Sequence, residues 1–271
     1  MKKMLLVLAL ALAAPAYATP PTLFDQVSRL LQTHTGKAPS APRATGAGSE
    51  FRTCPQFFVG GVSPRIPNGQ RLALRGLCYD AFAVLHSGVT KTPVFVAERL
   101  NKAQLDAARD EKRTNRFFAD ARLPMAERAQ LEDYRGSGFD RGHMAPAADM
   151  PSAQAMAQSF SLANMVPQAP VNNQRAWAGI EKATRKYAMR AKGDVYVITG
   201  PVFESPAKAI GPNRVHVPNY LYKLVYDATT HRAWAHWIAN TDQARAGQPI
   251  SYAELVQRTG IEFLSGIQPG H

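Results

Sequence analysis

Two cysteines and three tryptophans in 271 residues, a shortage of acidic side chains, and the lack of any long apolar run beyond position 14 set the first limits. Cysteines at 54 and 78 alone are too few and too widely spaced for a zinc centre, which needs ligands clustered at short intervals. No stretch after the first fourteen residues approaches the roughly 20 apolar residues that a membrane-spanning helix needs. Histidine is also sparse: His34, His86, His216, His231, His236 and His271 are scattered singly, a poor fit to a zinc phosphodiesterase with its several histidine ligands. Acidic residues number 20 against 32 Lys and Arg, a formal charge of +12, so the favoured partner is a polyanion such as nucleic acid or an anionic membrane surface.

A hydrophobic content of 45% is that of a globular chain, and the length is enough for one large core. Residues 1–18 read as an export signal: Lys2 and Lys3, an apolar run over 4–14, then Ala16-Tyr17-Ala18 as a small-residue cleavage site. Its removal lowers the charge to +10 and leaves a soluble, secreted or periplasmic protein with no membrane partner. In an oxidising compartment two thiols permit one intramolecular pairing, so a Cys54–Cys78 disulfide is expected, with two separately buried thiols as the alternative.

Residues 19–50 divide into a short amphipathic helix over 21–32, with Leu23, Phe24, Val27, Leu30 and Leu31 at helical spacing, and a linker rich in Gly, Ala, Pro, Ser and Thr. From Phe51 onward short strand-like runs appear at 57–59, 71–79, 82–86 and 94–97, with His86 at a surface hairpin turn. Residues 98–135 are charged and short of apolar periodicity, either a solvated connection or a phosphate track. Further strands are expected at 194–201, 221–226 and 233–239, and a helix at 251–257 with Ser251 as N-cap and Gly260 as its end. The fold class is α+β, a central antiparallel β-sheet with flanking helices.

Two stretches carry chemistry. Phe139-Asp140-Arg141-Gly142-His143-Met144 sets a histidine, suited by pKa to act as a general base, beside fixed charges, with Gly142 letting the backbone turn tightly. Some thirty residues on, Asn164, Gln168, Asn172, Asn173 and Gln174 crowd amide oxygens before a helix on which Asn173, Trp177, Glu181 and Arg185 form one stripe. Ile180, Ala183 and Tyr187 fall on the other side and read as core. One amide ligand suits Mg²⁺, with Mn²⁺ as the alternative ion, because Mg²⁺ keeps most of its waters and accepts few protein oxygens. Glu181 could then hold water of the ion's shell. Taken singly, these residues have plainer roles: Asn172 or Asn173 as a helix N-cap, Glu181 and Arg185 as a surface ion pair, Trp177 as core.

The run Tyr134-Arg135-Gly136-Ser137-Gly138-Phe139-Asp140-Arg141-Gly142-His143 resembles the signature of the DNA/RNA non-specific endonucleases, nearest to the endonuclease G type of the ββα-metal nuclease superfamily. The second block of that family is met in register by Asn164, Gln168, Asn173, Gln174, Trp177 and Glu181, and the resemblance runs from about Phe51 to Phe263. It implies a nuclease domain over 51–271, with His143 as general base, Asn173 as the one direct protein ligand of Mg²⁺, Glu181 in the metal's water shell and Asn164 near the site. Asp140 and Arg141 would shape and support the catalytic group. Arg113, with Arg116 close by, would face the phosphate, and Gln168 and Arg185 complete the candidate substrate contacts. The implied substrates are DNA and RNA, cut to 5′-phosphate and 3′-hydroxyl ends, and the likeness carries a homodimer as a further expectation. A non-catalytic basic nucleic-acid-binding protein on the same fold is the rival reading.

Overall fold

The computed structural model describes residues 50–67 and 69–270. The signal, the first helix and the linker of the sequence reading lie outside these residues.

Eleven strands are described: β1 (Leu74–Cys78), β2 (Phe82–Ser87), β3 (Thr92–Leu100), β4 (Asp140–His143), β5 (Met165–Gln168), β6 (Val195–Val202), β7 (Ala209–Ile210), β8 (Val215–His216), β9 (Tyr220–Asp227), β10 (Arg232–Ala239) and β11 (Ile250–Ser251). The α-helices are α1 (Lys102–Ala107), α2 (Leu131–Tyr134), α3 (Ala153–Ser159), α4 (Ala178–Ala188, entered through a π-helical segment, Asn172–Trp177) and α5 (Tyr252–Thr259). Seven strands form one antiparallel sheet in the order β1-β2-β3-β6-β9-β10-β11. β4 pairs with β5, and β7 with β8, as separate two-stranded units.

Strand alternation explains why this sheet is covered on both faces. On one face Ala83, Leu85, Phe95, Ala97, Ile198, Tyr222 and Leu224 meet Phe51, Phe57, Phe58, Leu255 and Phe263. On the other, Phe82, Val84, Val96 and Leu221 meet Met144, Met156, Phe160, Val166, Trp177 and Ile180. Full burial of each large apolar side chain contributes about 1.5–3 kcal/mol. β3 and β6 are neighbours in the sheet but are separated in the chain by residues 101–194, and this excursion supplies the second face's cover together with the two motif stretches.

The antiparallel sheet and the later strands agree with the sequence reading. So does α5, whose N-cap Ser251 accepts from the Glu254 amide and whose end is Gly260 at φ 68°. Other expectations are corrected. Residues 57–59 fall in two short 3₁₀ turns, Pro55–Phe57 and Val59–Gly61, instead of a strand, and Phe57 and Phe58 both join the core cluster around Phe95. Residues 69–72 are likewise 3₁₀, and β1 starts only after Ala73, which has φ 48°. Residues 98–135 are more than a solvated connection: they hold the end of β3, α1 and α2, and they bury Leu100, Leu105, Leu123 and Tyr134. Ala183 is exposed while Thr184 is buried in its place, with Thr184 Oγ1 donating to the Ile180 carbonyl. His86 is a wholly buried residue of β2, not a surface turn residue, and its Nε2 lies 2.8 Å from the Glu127 carbonyl oxygen. Burial pushes that imidazole down to about 4.

The Cys54–Cys78 disulfide is formed, with a Cα–Cα distance of 5.8 Å. It joins the end of edge strand β1 to the segment carrying Phe51, Phe57 and Phe58, whose rings cover Phe95. Closing a loop of this length restricts the unfolded chain by roughly 3 kcal/mol. A Cys54→Ser/Cys78→Ser double variant is therefore expected to unfold at lower urea concentration by about that free energy, and an unshifted urea midpoint would contradict this.

Candidate active site

Strand β4 carries the first motif and β5 pairs with it residue for residue: Asp140 opposite Gln168, Gly142 opposite Val166, His143 opposite Met165. Gly138, at φ 80°, turns the chain into β4 in a conformation that glycine adopts without strain. Gly142 serves a different purpose from the tight turn expected of it. It lies inside the strand, and a β-carbon there would run into the Gln168 side chain.

After β5 the chain enters its helix at Pro170, so neither Asn172 nor Asn173 is an N-cap; both lie in the π-helical turn. Such turns are rare and occur often at functional sites. The polar stripe expected on this helix faces β4. Asn173 Nδ2 and Gln174 Nε2 each donate to the same Asp140 oxygen at 2.9 Å, and Trp177 Nε1 donates to the His143 carbonyl at 3.4 Å. Because Asp140 can only accept, the Asn173 amide is oriented nitrogen-first toward it, which turns the amide oxygen elsewhere.

Arg141 and His143 alternate onto one face of β4, where both meet Phe117. The Arg141 guanidinium carbon is 4.2 Å from the Phe117 ring centre, and the imidazole is 5.9 Å from Phe117 and 5.1 Å, edge-on, from Phe160. Arg113 lies over the same Phe160 ring at 5.0 Å. His143 is 8% exposed, and its Nε2 has no hydrogen-bond partner among the described residues. Burial, then the charge of Arg113, pushes its pKa down to about 3, so the ring is neutral at physiological pH.

Glu181 is shifted the other way. Shielding from water pushes it up to about 7, with Asp149 adding to the rise and Lys223, Arg185 and Arg113 opposing it. Arg113 is therefore near enough to act electrostatically on both His143 and Glu181. Both Arg113 and Arg116 are exposed, and it is the contact with Phe160 and the reach to His143 and Glu181 that favour Arg113 as the arginine of the site.

Three expected contacts are relocated. Asn164 is fully buried: its Oδ1 accepts from the Ala145 amide, and its Nδ2 donates to the Ala145 and Ser159 carbonyls, all at 2.9 Å. It braces the segment after His143 and cannot reach a substrate. Gln168 is also fully buried and donates to Asn172 Oδ1 at 3.0 Å, which makes it a brace between β5 and the helix, not a substrate contact. Arg185 is paired with buried Asp149 at 2.8 Å, so its guanidinium is committed inside the protein and not to the surface pair with Glu181.

Sequence reasoning missed Asp149, Glu98 and Lys223, all buried behind the site. The available signal was a charged residue at mid-strand: Glu98 and Lys223 interrupt apolar runs in β3 and β9.

Comparisons with known proteins show the family and the fold. The family described as DNA/RNA non-specific endonuclease matches residues 62–269. Nuclease 1, mitochondrial, of Schizosaccharomyces pombe is 31% identical over 205 residues, covering 67% of this chain and 63% of that protein. Human endonuclease G, mitochondrial, is 38% identical over 160 residues, covering 55% of this chain and 51% of that protein. The chain thus spans about half to two thirds of the length of these relatives. A crystal structure of an EndoG/EndoGI complex superposes with a TM-score of 0.66 at 23% identity over 83% of this chain and 95% of that one, which shows the shared fold.

The Glu181 shift generates a stability prediction. A carboxyl raised from 4.5 to about 7 on folding opposes the folded state once it must ionise, so this group's contribution is harmless below about pH 4.5 and increasingly destabilising as pH rises through 7. Without added metal, Glu181→Gln is expected to melt at a higher temperature than wild type at pH 8 and at nearly the same temperature at pH 4.5. Equal melting at both pH values would contradict the shift.

Proposed function

The chain belongs to the DNA/RNA non-specific endonuclease family, and on that premise we propose that it hydrolyses phosphodiester bonds of DNA and RNA without base preference, using Mg²⁺ and leaving 5′-phosphate ends. The observation that supports this best is the state of His143: a neutral imidazole, walled by Phe117 and Phe160, whose buried Nε2 has no hydrogen-bond partner among the described residues.

The residues fit a hard divalent ion that keeps most of its own water. The Asn173 amide oxygen is turned away from Asp140 by the bond its nitrogen makes, and Glu181, eight residues along the same helix, would accept from the ion's hydration water. When bound, Mg²⁺ supplies positive charge to the scissile phosphate and the leaving oxygen. His143 takes the proton of the attacking water, which its neutral ring can accept. Arg113 and Arg141, steadied by stacking on Phe160 and Phe117, hold the phosphate by charge. A grip made through phosphate groups reads no base edge, which accounts for the proposed lack of preference.

Export belongs to the same proposal. Lys2, Lys3, the apolar run and Ala16-Tyr17-Ala18 support it, and the Cys54–Cys78 bond suits an oxidising compartment.

Plasmid DNA and RNA are expected to be degraded with Mg²⁺ and to survive with EDTA. His143→Ala should lose at least about a hundredfold in rate, the contribution of a general base. Cutting at the wild-type rate by His143→Ala would overturn the mechanism. Asp140→Ala, which frees the Asn173 amide, should raise the Mg²⁺ concentration for half-maximal rate by about 10- to 100-fold, read from a metal titration.

A further inference from the structure

Lys223 is 1% exposed, at mid-strand in β9 on the sheet face that meets the active-site excursion. Its Nζ donates to Thr199 Oγ1 on paired strand β6 at 2.7 Å and to the Met144 carbonyl at 3.4 Å, and lies 5.4 Å from the Trp177 ring centre. Trp177 in turn donates to the carbonyl of His143. Two consecutive carbonyls, those of the base and of its neighbour, are therefore held by one buried ammonium and one buried indole. Asn164 fixes the next residue through the Ala145 amide.

Charged and titratable groups surround this ammonium from every side: Glu98 on β3, Asp149 on the 3₁₀ turn Ala147–Asp149, Glu181 and Arg185 on α4, and His236 on β10, with Arg113 reaching Glu181 from the loop. Glu98 is wholly buried and raised well above the usual carboxylate range by desolvation and by the charge of Asp149. Asp149 and Glu181 also lie within electrostatic reach of Lys223. Burying an ammonium is costly, and an apolar side chain in a sheet core serves stability as well or better. A purely structural role leaves the charge without a reason.

We infer that Lys223 is a positioning residue for the proposed hydrolysis, tying the central sheet to the backbone at His143 and Met144 and supplying the cation shared by the carboxylates behind the site. The inference rests on the proposed function, because it gives His143 a reacting partner to be aligned with. The ammonium touches no substrate; it acts by fixing where the imidazole stands. Misplacing a catalytic group by about 1 Å can cost on the order of a hundredfold in rate.

The test is Lys223→Met in the full chain, assayed with Mg²⁺ on a defined duplex beside wild type and His143→Ala. The expected result is a kcat lower by about 10- to 100-fold, a KM within about threefold of wild type, and a melting temperature no lower than wild type. Hydrogen exchange should quicken at the Trp177 indole and the Met144 amide and stay unchanged in β9 and β10. A folded Lys223→Met enzyme with kcat within twofold of wild type, or one whose exchange loosens throughout the sheet, overturns the inference. If the variant does not fold, Thr199→Val decides: it keeps the charge and removes the ammonium's shortest bond, so a several-fold loss in kcat at constant KM supports the tie, and an unchanged kcat overturns it. Failure of wild type itself to cut nucleic acid sinks the nuclease reading instead, while the exchange measurement still reports whether Lys223 holds the His143 backbone.

Discussion

The site depends first on a single carboxylate. Asp140, at the start of β4, takes two amide N–H groups from the π-helical turn that leads into α4. A charged acceptor with two neutral donors makes stronger, shorter bonds than a neutral pair, so the strand and the helix are locked in one register. The Trp177 bond to the His143 carbonyl repeats the lock one helical turn later. That registration brings the imidazole of the strand and the Asn173 amide of the helix to one side of the sheet excursion, as the proposed hydrolysis requires. Asp140 thus sets the placement of the strand against the helix.

The second constraint is dryness. Phe117 and Phe160 wall the imidazole, and the excursion between β3 and β6 packs on the sheet face that carries Phe82, Val84, Val96 and Leu221. The same exclusion of water shifts two groups in opposite directions: His143 downward and Glu181 upward. Pairs of titratable groups driven apart in this way mark acid and base roles in catalytic sites. Both shifts weaken the fold in some pH range, His143 below about pH 6.5 and Glu181 above about pH 4.5, so the site is maintained at the expense of stability held elsewhere. The disulfide and the aromatic cluster under β1 and β3 supply part of that stability on the sheet's far face.

Much of this was legible in the residues themselves. β9 and β10 could be read because their apolar runs are long and end at a turn, and α5 because Ser251 and Gly260 mark its ends. The site motif was legible because its members are close together in the chain. What could not be read were partnerships across long separations. An amide in sequence looks the same whether it serves as a ligand, as Asn173 fits, or as a brace, as Asn164 and Gln168 prove to be. Arg185 offered Glu181 at helical spacing, yet its bond goes to Asp149, 36 residues away. Gly142 announced a special backbone position without revealing that the reason is the Gln168 side chain.

The buried charges show where periodicity stops being informative. A strand covered on both faces is expected to be apolar throughout, and Glu98 and Lys223 depart from that pattern. Alternation in fact points both toward the site. Val96 and Leu221 share that face two residues before each of them, and β6 lies between with Thr199 opposite Lys223. A polar row therefore crosses the centre of the sheet beneath the catalytic excursion. Such a row is tolerable only if each charge finds an opposite or a proton, and that condition is met from three strands and a helix at once. The requirement runs in both directions: the excursion needs the row to hold its backbone, and the row needs Asp149, Glu181 and Arg185 of the excursion to be neutralised. Sheet and site are for that reason one electrostatic unit, and a change on either side must be balanced on the other.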